Sequence, residues 1–298
     1  MAVIVIKNHE IVENTLSTFI KLENGRLLVP DNTVLDEPLK ITLLNDSNET
    51  LEFVVGKNSD LKVILEVLGN DKSDDNYSIK FNVLDNSNVK YLLISALESN
   101  KAVINHEFNI NKDSNVLILA GLVSNVLTAK LDVNVLGRGA TVKIKAVAVS
   151  SDSHDQKIDV YMNHKAPYTN GEMTCVGIAN KKGRVILNGI EKIDNGMKHS
   201  NVYQTLRGII TSDDAIVEVN PILIIDEYDL EGAGHAATVG KLDEDAMYYL
   251  QSRGLRKEDA ERLIINGFLR PLIDEIDDEV LKDKFVELVN VRIWLFWI

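Results

Sequence analysis

The sequence predicts a mainly β chain, wound as a parallel β-solenoid and followed by a small α-helical domain. Three observations predict it. Apolar residues alternate with polar ones over long stretches, as in Ile79-Lys80-Phe81-Asn82-Val83, Leu131-Asp132-Val133-Asn134-Val135 and Val142-Lys143-Ile144-Lys145-Ala146-Val147. Short polar turns recur at nearly even steps. After Gly240 the period changes from two to that of a helix.

Residues 1–38 read as an N-terminal segment of short strands and loop. Met1 to Lys7 is apolar for too short a run to be a signal peptide or a membrane span. The solenoid is predicted over residues 39–240. Between Leu39 and Ile225 the chain is rich in Val, Ile, Leu and Asn, and its only prolines there are Pro167 and Pro221. The turns Asn58-Ser59-Asp60-Leu61, Asn86-Ser87-Asn88-Val89, Asp113-Ser114-Asn115-Val116 and Gly137-Arg138-Gly139-Ala140 each precede an apolar residue. Ser59, Ser87, Ser114 and Arg138 are spaced by 28, 27 and 24 residues. Repeats of this length, with strands between the turns, predict a solenoid. Lys182-Gly183 and Asp213-Asp214 continue the series, with one unmarked turn near residues 151–154. An antiparallel sandwich with evenly spaced hairpins is the competing reading. Asn and Ser suit such turns because they bond nearby backbone and Asn tolerates left-handed geometry.

Residues 241–298 read as the helical domain. Asp243-Glu244-Asp245 supplies an N-cap and an acidic first turn. Ala246, Met247 and Leu250 follow at helical spacing, and Gly254 stops the helix after Arg253. A second helix is expected from Lys257, with Ala260, Leu263, Ile264, Gly267 and Phe268 on one face, broken at Pro271. A third starts near Asp278 and carries Leu281, Phe285, Leu288 and Val289. Residues 291–298 hold both tryptophans and read as a terminal helical turn packed into a core. Three helices in under sixty residues cannot bury every apolar face on one another, so one face docks on the β domain or on a partner.

Composition excludes several functions. The formal charge is −13, and such a surface repels a nucleic-acid backbone. A single cysteine, Cys175, rules out an internal disulfide framework and suits a reducing cytosol. One thiol is also too few to hold an iron–sulfur cluster or a structural zinc alone. Its apolar surroundings predict a buried, inert thiol. The expected chain is cytoplasmic, with no nucleic-acid or membrane partner.

The segment Gly234 to Lys241 mimics a phosphate-binding loop and fails as one. Five residues separate Gly234 from Gly240 where four are needed, and Leu242 stands where Ser or Thr should follow the lysine. Asp226, Glu227 and Asp229 allow another reading, since β-helix enzymes acting on polysaccharides use paired carboxylates. The chain is only 6% aromatic, which provides few sugar-stacking platforms, and carboxylates at a strand end are commonplace.

A longer succession carries more information. Asn220-Pro221-Ile222-Leu223-Ile224-Ile225-Asp226-Glu227-Tyr228-Asp229 leads into AGHAATVG (233–240), then YYLQSRG (248–254) and Ile264-Ile265-Asn266-Gly267-Phe268-Leu269. This succession resembles the C-terminal third of the SufB/SufD family of iron–sulfur cluster assembly scaffolds. The two short motifs are closer to the SufD branch than to SufB. The resemblance is concentrated between His164 and Glu287, and the N-terminal helical extension common in the family has no evident counterpart here.

The resemblance implies a right-handed parallel β-helix, no enzymatic activity of its own, and a transient iron–sulfur cluster held only in a complex. Its implied partners are a SufB-like subunit, paired through the β-helices, and a SufC-type ABC ATPase docked on the helical domain. A homodimer of this chain working with SufC alone is the alternative. His235 matches the family histidine implicated in the cluster, and imidazole is a suitable ligand for iron. Ala233 occupies a position where some relatives carry cysteine, so a partner would have to complete any ligand set. Gln204 and Arg207 resemble a partner-facing region. Tyr249, Arg253 and Phe268 are further interface candidates. His164 is expected to be structural. His9, His106, His154 and His199 have no evident partners in sequence and are expected on strands or turns.

Overall fold

The computed structural model describes residues 2–7, 10–15, 20–23, 25–44, 48–70 and 72–294. His9 and Trp297 therefore lie outside the described residues.

Among the described residues the chain forms nineteen strands, then three helices. The first six strands are β1 (Ala2–Lys7), β2 (Glu10–Asn14), β3 (Lys21–Glu23), β4 (Arg26–Val29), β5 (Leu39–Leu44) and β6 (Asn48–Val55). They are followed by β7 (Asp60–Gly69), β8 (Asp74–Val83), β9 (Asn88–Leu97), β10 (Lys101–Ile110), β11 (Asn115–Leu122) and β12 (Leu127–Val135). Next come β13 (Thr141–Ser150), β14 (Asp155–His164), β15 (Asn170–Ala179), β16 (Arg184–Ile193), β17 (Asn201–Ile210), β18 (Ile216–Ile225) and β19 (Gly232–Lys241). The helices are α1 (Glu244–Ser252), α2 (Lys257–Ile273) and α3 (Glu279–Trp294).

From β5 onward successive strands alternate between two sheets, and each strand pairs in parallel with the strand two places away. The result is a parallel solenoid of about seven turns. The antiparallel sandwich is excluded, because among the described residues only β1–β2 and β3–β4 pair antiparallel. Both returns lie at the N-terminal end, where β2 and β3 terminate the two sheets. No helix among the described residues is long and apolar enough to cross a membrane.

Alternation does what the sequence predicts. On β8, Tyr77, Ile79, Phe81 and Val83 are buried, with polar side chains between them. In-register parallel stacking puts like on like: Phe53, Phe81 and Phe108 stack at 4.2 and 5.3 Å in the interior. On the outside, Asn82, Asn109, Asn134 and Asn163 form an amide ladder with steps of 3.1, 3.3 and 3.4 Å.

The polar turns form a corner. Asn32, Asn58 and Asn86 all have positive φ and pass amide hydrogen bonds of 3.0 and 2.8 Å along the stack. Ser59, Ser87 and Ser114 sit beside them, each hydroxyl accepting the preceding turn's backbone N–H at 3.1–3.2 Å. The later members of the series need correction. Residues 151–154, Lys182-Gly183 and Asp213-Asp214 lie on the opposite edge, where the chain passes from the first sheet to the second. The Asn/Ser corner instead continues through Tyr168 and His199, both left-handed (φ 62 and 56). Their residue types hide the repeat, and their rings replace the amide ladder with a tilted contact at 4.8 Å.

The helices dock on the outer face of the ten-stranded sheet, where Ile94, Leu119, Val147, Val149, Val176 and Ile178 form an apolar floor. Helix α2 buries Ala260, Ile265, Leu269 and Leu272. Leu263 and Gly267, expected on this face, are exposed, because the stripe follows the sheet and not the other helices. Pro271 does not break the helix, which runs on to Ile273. Burial of Leu269 and Leu272 on either side outweighs one lost hydrogen bond so near the helix end. Helix α3 buries Leu281, Phe285, Val289 and Ile293, while Leu288 packs at the margin.

Ion pairs fix this docking. Glu66, 1% exposed on the sheet face, meets Lys40 at 2.8 Å and also Lys284 of α3. Burial works against its charge, yet the two lysines hold its carboxyl below the ordinary range. Asp277 takes Lys62 at 2.7 Å and Lys90 at 3.1 Å, and Lys145 meets Glu275 at 2.5 Å.

Candidate functional site at the open end of the solenoid

The two ends of the solenoid differ: one finishes in the short antiparallel strands β2 and β3, the other in the ten-residue strands β18 and β19. β18 pairs only with β16, and β19 only with β17, so each ten-residue strand has a bare edge. The helices do not cover these edges, because they pack further back, on β11, β13 and β15. Exposed apolar side chains follow: Ile222, Ile224, Ile225 and Val239 are each 36–47% accessible. Bare edges and apolar side chains at one place mark a pairing surface.

His235 lies in the middle of β19, in register with Gln204 of β17, and is exposed. Register places Ala233, His235, Ala237 and Val239 on the interior side of the sheet, above Val202, Gln204, Leu206 and Gly208. They are exposed because no further coil covers them. On the outer side Tyr203 lies across Gly232 and Gly234. A Cβ at 232 would meet the Tyr203 hydroxyl at 2.7 Å, and one at 234 would meet its ring at 3.2 Å. The glycines that imitate a phosphate loop therefore make room for a tyrosine. Lys241 pairs with Asp213 at 2.6 Å.

The carboxylates of the preceding turn organise backbone. Glu227 accepts N–H donors from Asp229 at 3.0 Å, Gly196 at 2.8 Å and Tyr228 at 2.9 Å. These backbone donors, that of Asp229 foremost, hold its carboxyl below the ordinary range. Asp229 faces Lys198 and His199 at 3.6 and 3.8 Å. A carboxylate held this low is a poor general acid, so Glu227 does not suit the proton-donor role of the polysaccharide-enzyme reading.

Beneath the open rung lies a group that the sequence reading missed. Glu191 on β16 is completely buried, and neither carboxyl oxygen has a hydrogen-bond partner. Burial pushes its carboxyl up to about 8, and the neighbouring Gln204 amide offsets part of that rise. Cys175 is 1% exposed, and burial, with Glu191 nearby, pushes its thiol up to about 12. A thiol in that state is inert. Strand parity carried the signal for Glu191, since it shares a face with Val185, Leu187 and Ile193, all buried.

This pairing has a thermodynamic consequence. An acid whose folded pKa is raised binds a proton that the unfolded chain has released, so stability falls as pH rises from about 4.5 to about 8. Glu191→Gln removes that penalty. The variant is expected to gain about 2–4 kcal/mol over the parent at pH 8.5 relative to pH 4. Urea unfolding at the two pH values measures the difference.

The other candidates are dispersed. Gln204 is 2% exposed and its Nε2 donates to the Ile222 carbonyl at 3.1 Å. Its side chain is thus inside the solenoid, which corrects its expected place on a partner-facing surface. Arg207 is exposed on the outer face, beside Thr238 in register. Tyr249 is 55% exposed on α1, with the Arg253 guanidinium 5.2 Å from its ring. Phe268 packs half-buried against the helix–sheet core, so it is a docking residue of this chain's own helices. His164 is buried, its Nδ1 2.7 Å from the Thr169 hydroxyl, and burial lowers its pKa to about 4. His106 is likewise internal, 2.6 Å from the Tyr91 hydroxyl and lowered by burial to about 3. Among the described residues no three His, Cys, Asp or Glu side chains group as a metal site. His235 stands exposed on the bare edge, outside any such group.

Comparison with known proteins agrees with this geometry. Residues 44–268 match the family model described as SUF system FeS cluster assembly, SufBD core domain. An iron–sulfur cluster assembly protein SufD of Bacillus subtilis (strain 168) is 30% identical over 278 residues, covering 90% of this chain and 63% of that protein. The SufD of Escherichia coli (strain K12) is 26% identical over 157 residues, covering 53% of this chain and 37% of the relative. A SufBD family protein of Staphylococcus epidermidis (strain ATCC 12228 / FDA PCI 1200) is 28% identical over 173 residues, covering 57% and 37%. The chain thus spans less than two thirds of the length of each of these relatives.

Proposed function

The chain belongs to the SufB/SufD family of iron–sulfur cluster assembly proteins and is of the SufD type, and from that premise we propose that it acts as a scaffold subunit whose open solenoid end pairs with a SufB-like partner. The observation that carries the pairing is the contrast between the two ends, one finishing in short antiparallel strands and one left with two bare ten-residue edges. A partner presenting similar edges would continue both sheets across the junction and bury the apolar rung. His235 would then lie inside the junction, where ligands from the partner can join it around the cluster that is the machine's cargo. Scaffolding, with no bond chemistry of the chain's own, is the role that this arrangement supports.

The ATPase is assigned to the helices. Helix α1 has no buried residue, and Tyr248 and Tyr249 on it and Leu263 on α2 are 53–76% exposed. Aromatic residues presented in this way suit a docking site for a SufC-type ATPase. Asp243 caps α1 by accepting the Ala246 N–H at 2.7 Å, and just two residues, Leu242 and Asp243, separate β19 from the helix. A movement of α1 would reach the strand that carries His235 directly.

The test is anaerobic reconstitution of this chain with SufB-like and SufC-type proteins, followed by native mass and visible absorption. Pairing predicts a complex containing this chain once beside SufB; a twofold assembly of this chain alone supports the homodimer, and a monomer under all conditions overturns both. His235→Ala is expected to leave the assembly mass unchanged while lowering cluster retention roughly tenfold or more. Unchanged cluster yield removes His235 from the ligand set.

A further inference from the structure

The net charge of the chain is gathered at its open end. Residues 211–245, which form the last coil and the start of α1, carry ten carboxylates and one lysine, so a formal −9 of the −13 lies on 35 of 298 residues. The coil before it has the opposite sign. Residues 180–210 carry six lysines and arginines against Glu191 and Asp194, a formal +4. Polarity therefore reverses between the last two layers of the stack.

The reversal follows a habit of this solenoid. In-register stacking sets side chains of adjacent coils beside one another, and the outer rows use it for ion pairs. Arg26 meets its register neighbour Glu52 at 3.0 Å, Lys80 meets Glu107 at 3.2 Å and Lys143 meets Glu172 at 2.9 Å. In each the cation stands on the earlier coil and the carboxylate on the later; Lys181 to Asp152 at 2.7 Å runs the other way. The penultimate coil continues the habit, with Arg184 to Glu218 at 2.6 Å and Lys198 to Asp229 at 3.6 Å. These cations serve only part of the last coil. Asp214, Asp226 and Glu231 are exposed in the turns at the two ends of β18, and among the described residues none of the three has a cation within ion-pair distance.

We propose that the open end selects its partner by charge: it fits a different chain that presents a basic rim, and it repels a second copy of itself. The inference rests on the pairing reading for its junction and adds the chemistry of the occupant. A basic layer would be the next in the stack, and would neutralise Asp214, Asp226 and Glu231 as Arg184 and Lys198 neutralise Glu218 and Asp229. A second copy brings the same three carboxylates and the same −9 to the junction, where dilute salt screens them little. The apolar rung of Ala237 and Val239 is common to both cases, so charge decides between them.

The sign of the salt dependence tests this on the full chain. Sedimentation equilibrium is run at about 0.02 M and about 0.5 M NaCl, between which the screening length falls from about 20 Å to about 4 Å. Binding to a SufB-like subunit is expected to weaken about tenfold or more over this range, whereas self-association of the parent is expected to rise with salt. The neutral triple variant Asp214→Asn, Asp226→Asn, Glu231→Gln is expected at low salt to self-associate with about ten times the parent's association constant or more, and to bind the SufB-like subunit about tenfold more weakly. All three sites are exposed, and far-ultraviolet dichroism checks the fold. A parent that self-associates as well at low salt as at high, or a neutral variant that self-associates no better than the parent, overturns the inference. If the SufB-like subunit binds parent and variant alike at both salt concentrations, charge selection fails and the pairing reading stands. If self-association behaves as expected but no SufB-like subunit binds the parent, the pairing with that partner fails and the repulsion between copies stands.

Discussion

Val239→Asp is expected to abolish pairing at the open end while leaving the isolated chain folded. Val239 is 47% exposed on the last strand, and Ala237 lies beside it on the same rung. In the free chain an aspartate at either position is hydrated and costs little. In a junction that continues both sheets, the same carboxylate is buried among apolar side chains without a donor. The expected loss is about 2–4 kcal/mol, or roughly 30-fold to 1,000-fold in affinity. Analytical ultracentrifugation with the SufB-like subunit measures it, and far-ultraviolet dichroism checks the fold. Full affinity in both Val239→Asp and Ala237→Asp would move the interface away from this rung.

The second large effect concerns the helices. Phe285 is fully buried, and its ring lies on the backbone of β11 at Gly121, where any Cβ would run into it. The glycine is thus a socket for the α3 side chain. Phe285→Ala is expected to destabilise docking by about 3–5 kcal/mol, and Gly121→Val should match it from the other side by expelling the ring. Limited proteolysis should then cut within residues 241–294 before the solenoid. The same docking weakens in acid. A carboxylate held below its ordinary range contributes stability above the unfolded value near 4.5 and loses it as pH falls through the folded one, so Glu66 releases Lys40 and Lys284 below that window. A helical domain that resists proteolysis in Phe285→Ala would show that the ion pairs alone suffice.

Much of the solenoid was readable because its physics is local. Alternation at Ile79 to Val83 and the left-handed asparagines at 58 and 86 follow from single-strand and single-turn preferences. The later corner turns were lost because Tyr168 and His199 adopt the same left-handed geometry with side chains that do not announce it. Pro271 was misread because its helix is held by the sheet under Leu269 and Leu272. His235 was found through the motif around it; its place on a bare edge depends on where the solenoid ends, which is a property of the whole chain. Gln204 and Glu191 were legible in principle. Val202, Gln204, Leu206 and Gly208 share one parity, as do Val185, Leu187, Glu191 and Ile193, and parity taken strictly places both polar residues inside. Charge argued the other way, and burial prevailed.

The unequal ends also bear on how large an assembly the proposed pairing could build. A parallel solenoid with two reactive faces is bifunctional, and copies would add head to tail into fibres without limit. Here the N-terminal face is blunted. β2 is short, carries Glu10 and Glu13 and is exposed throughout, and β3 has three residues. An interface confined to the open end, as proposed above, would join two units and go no further.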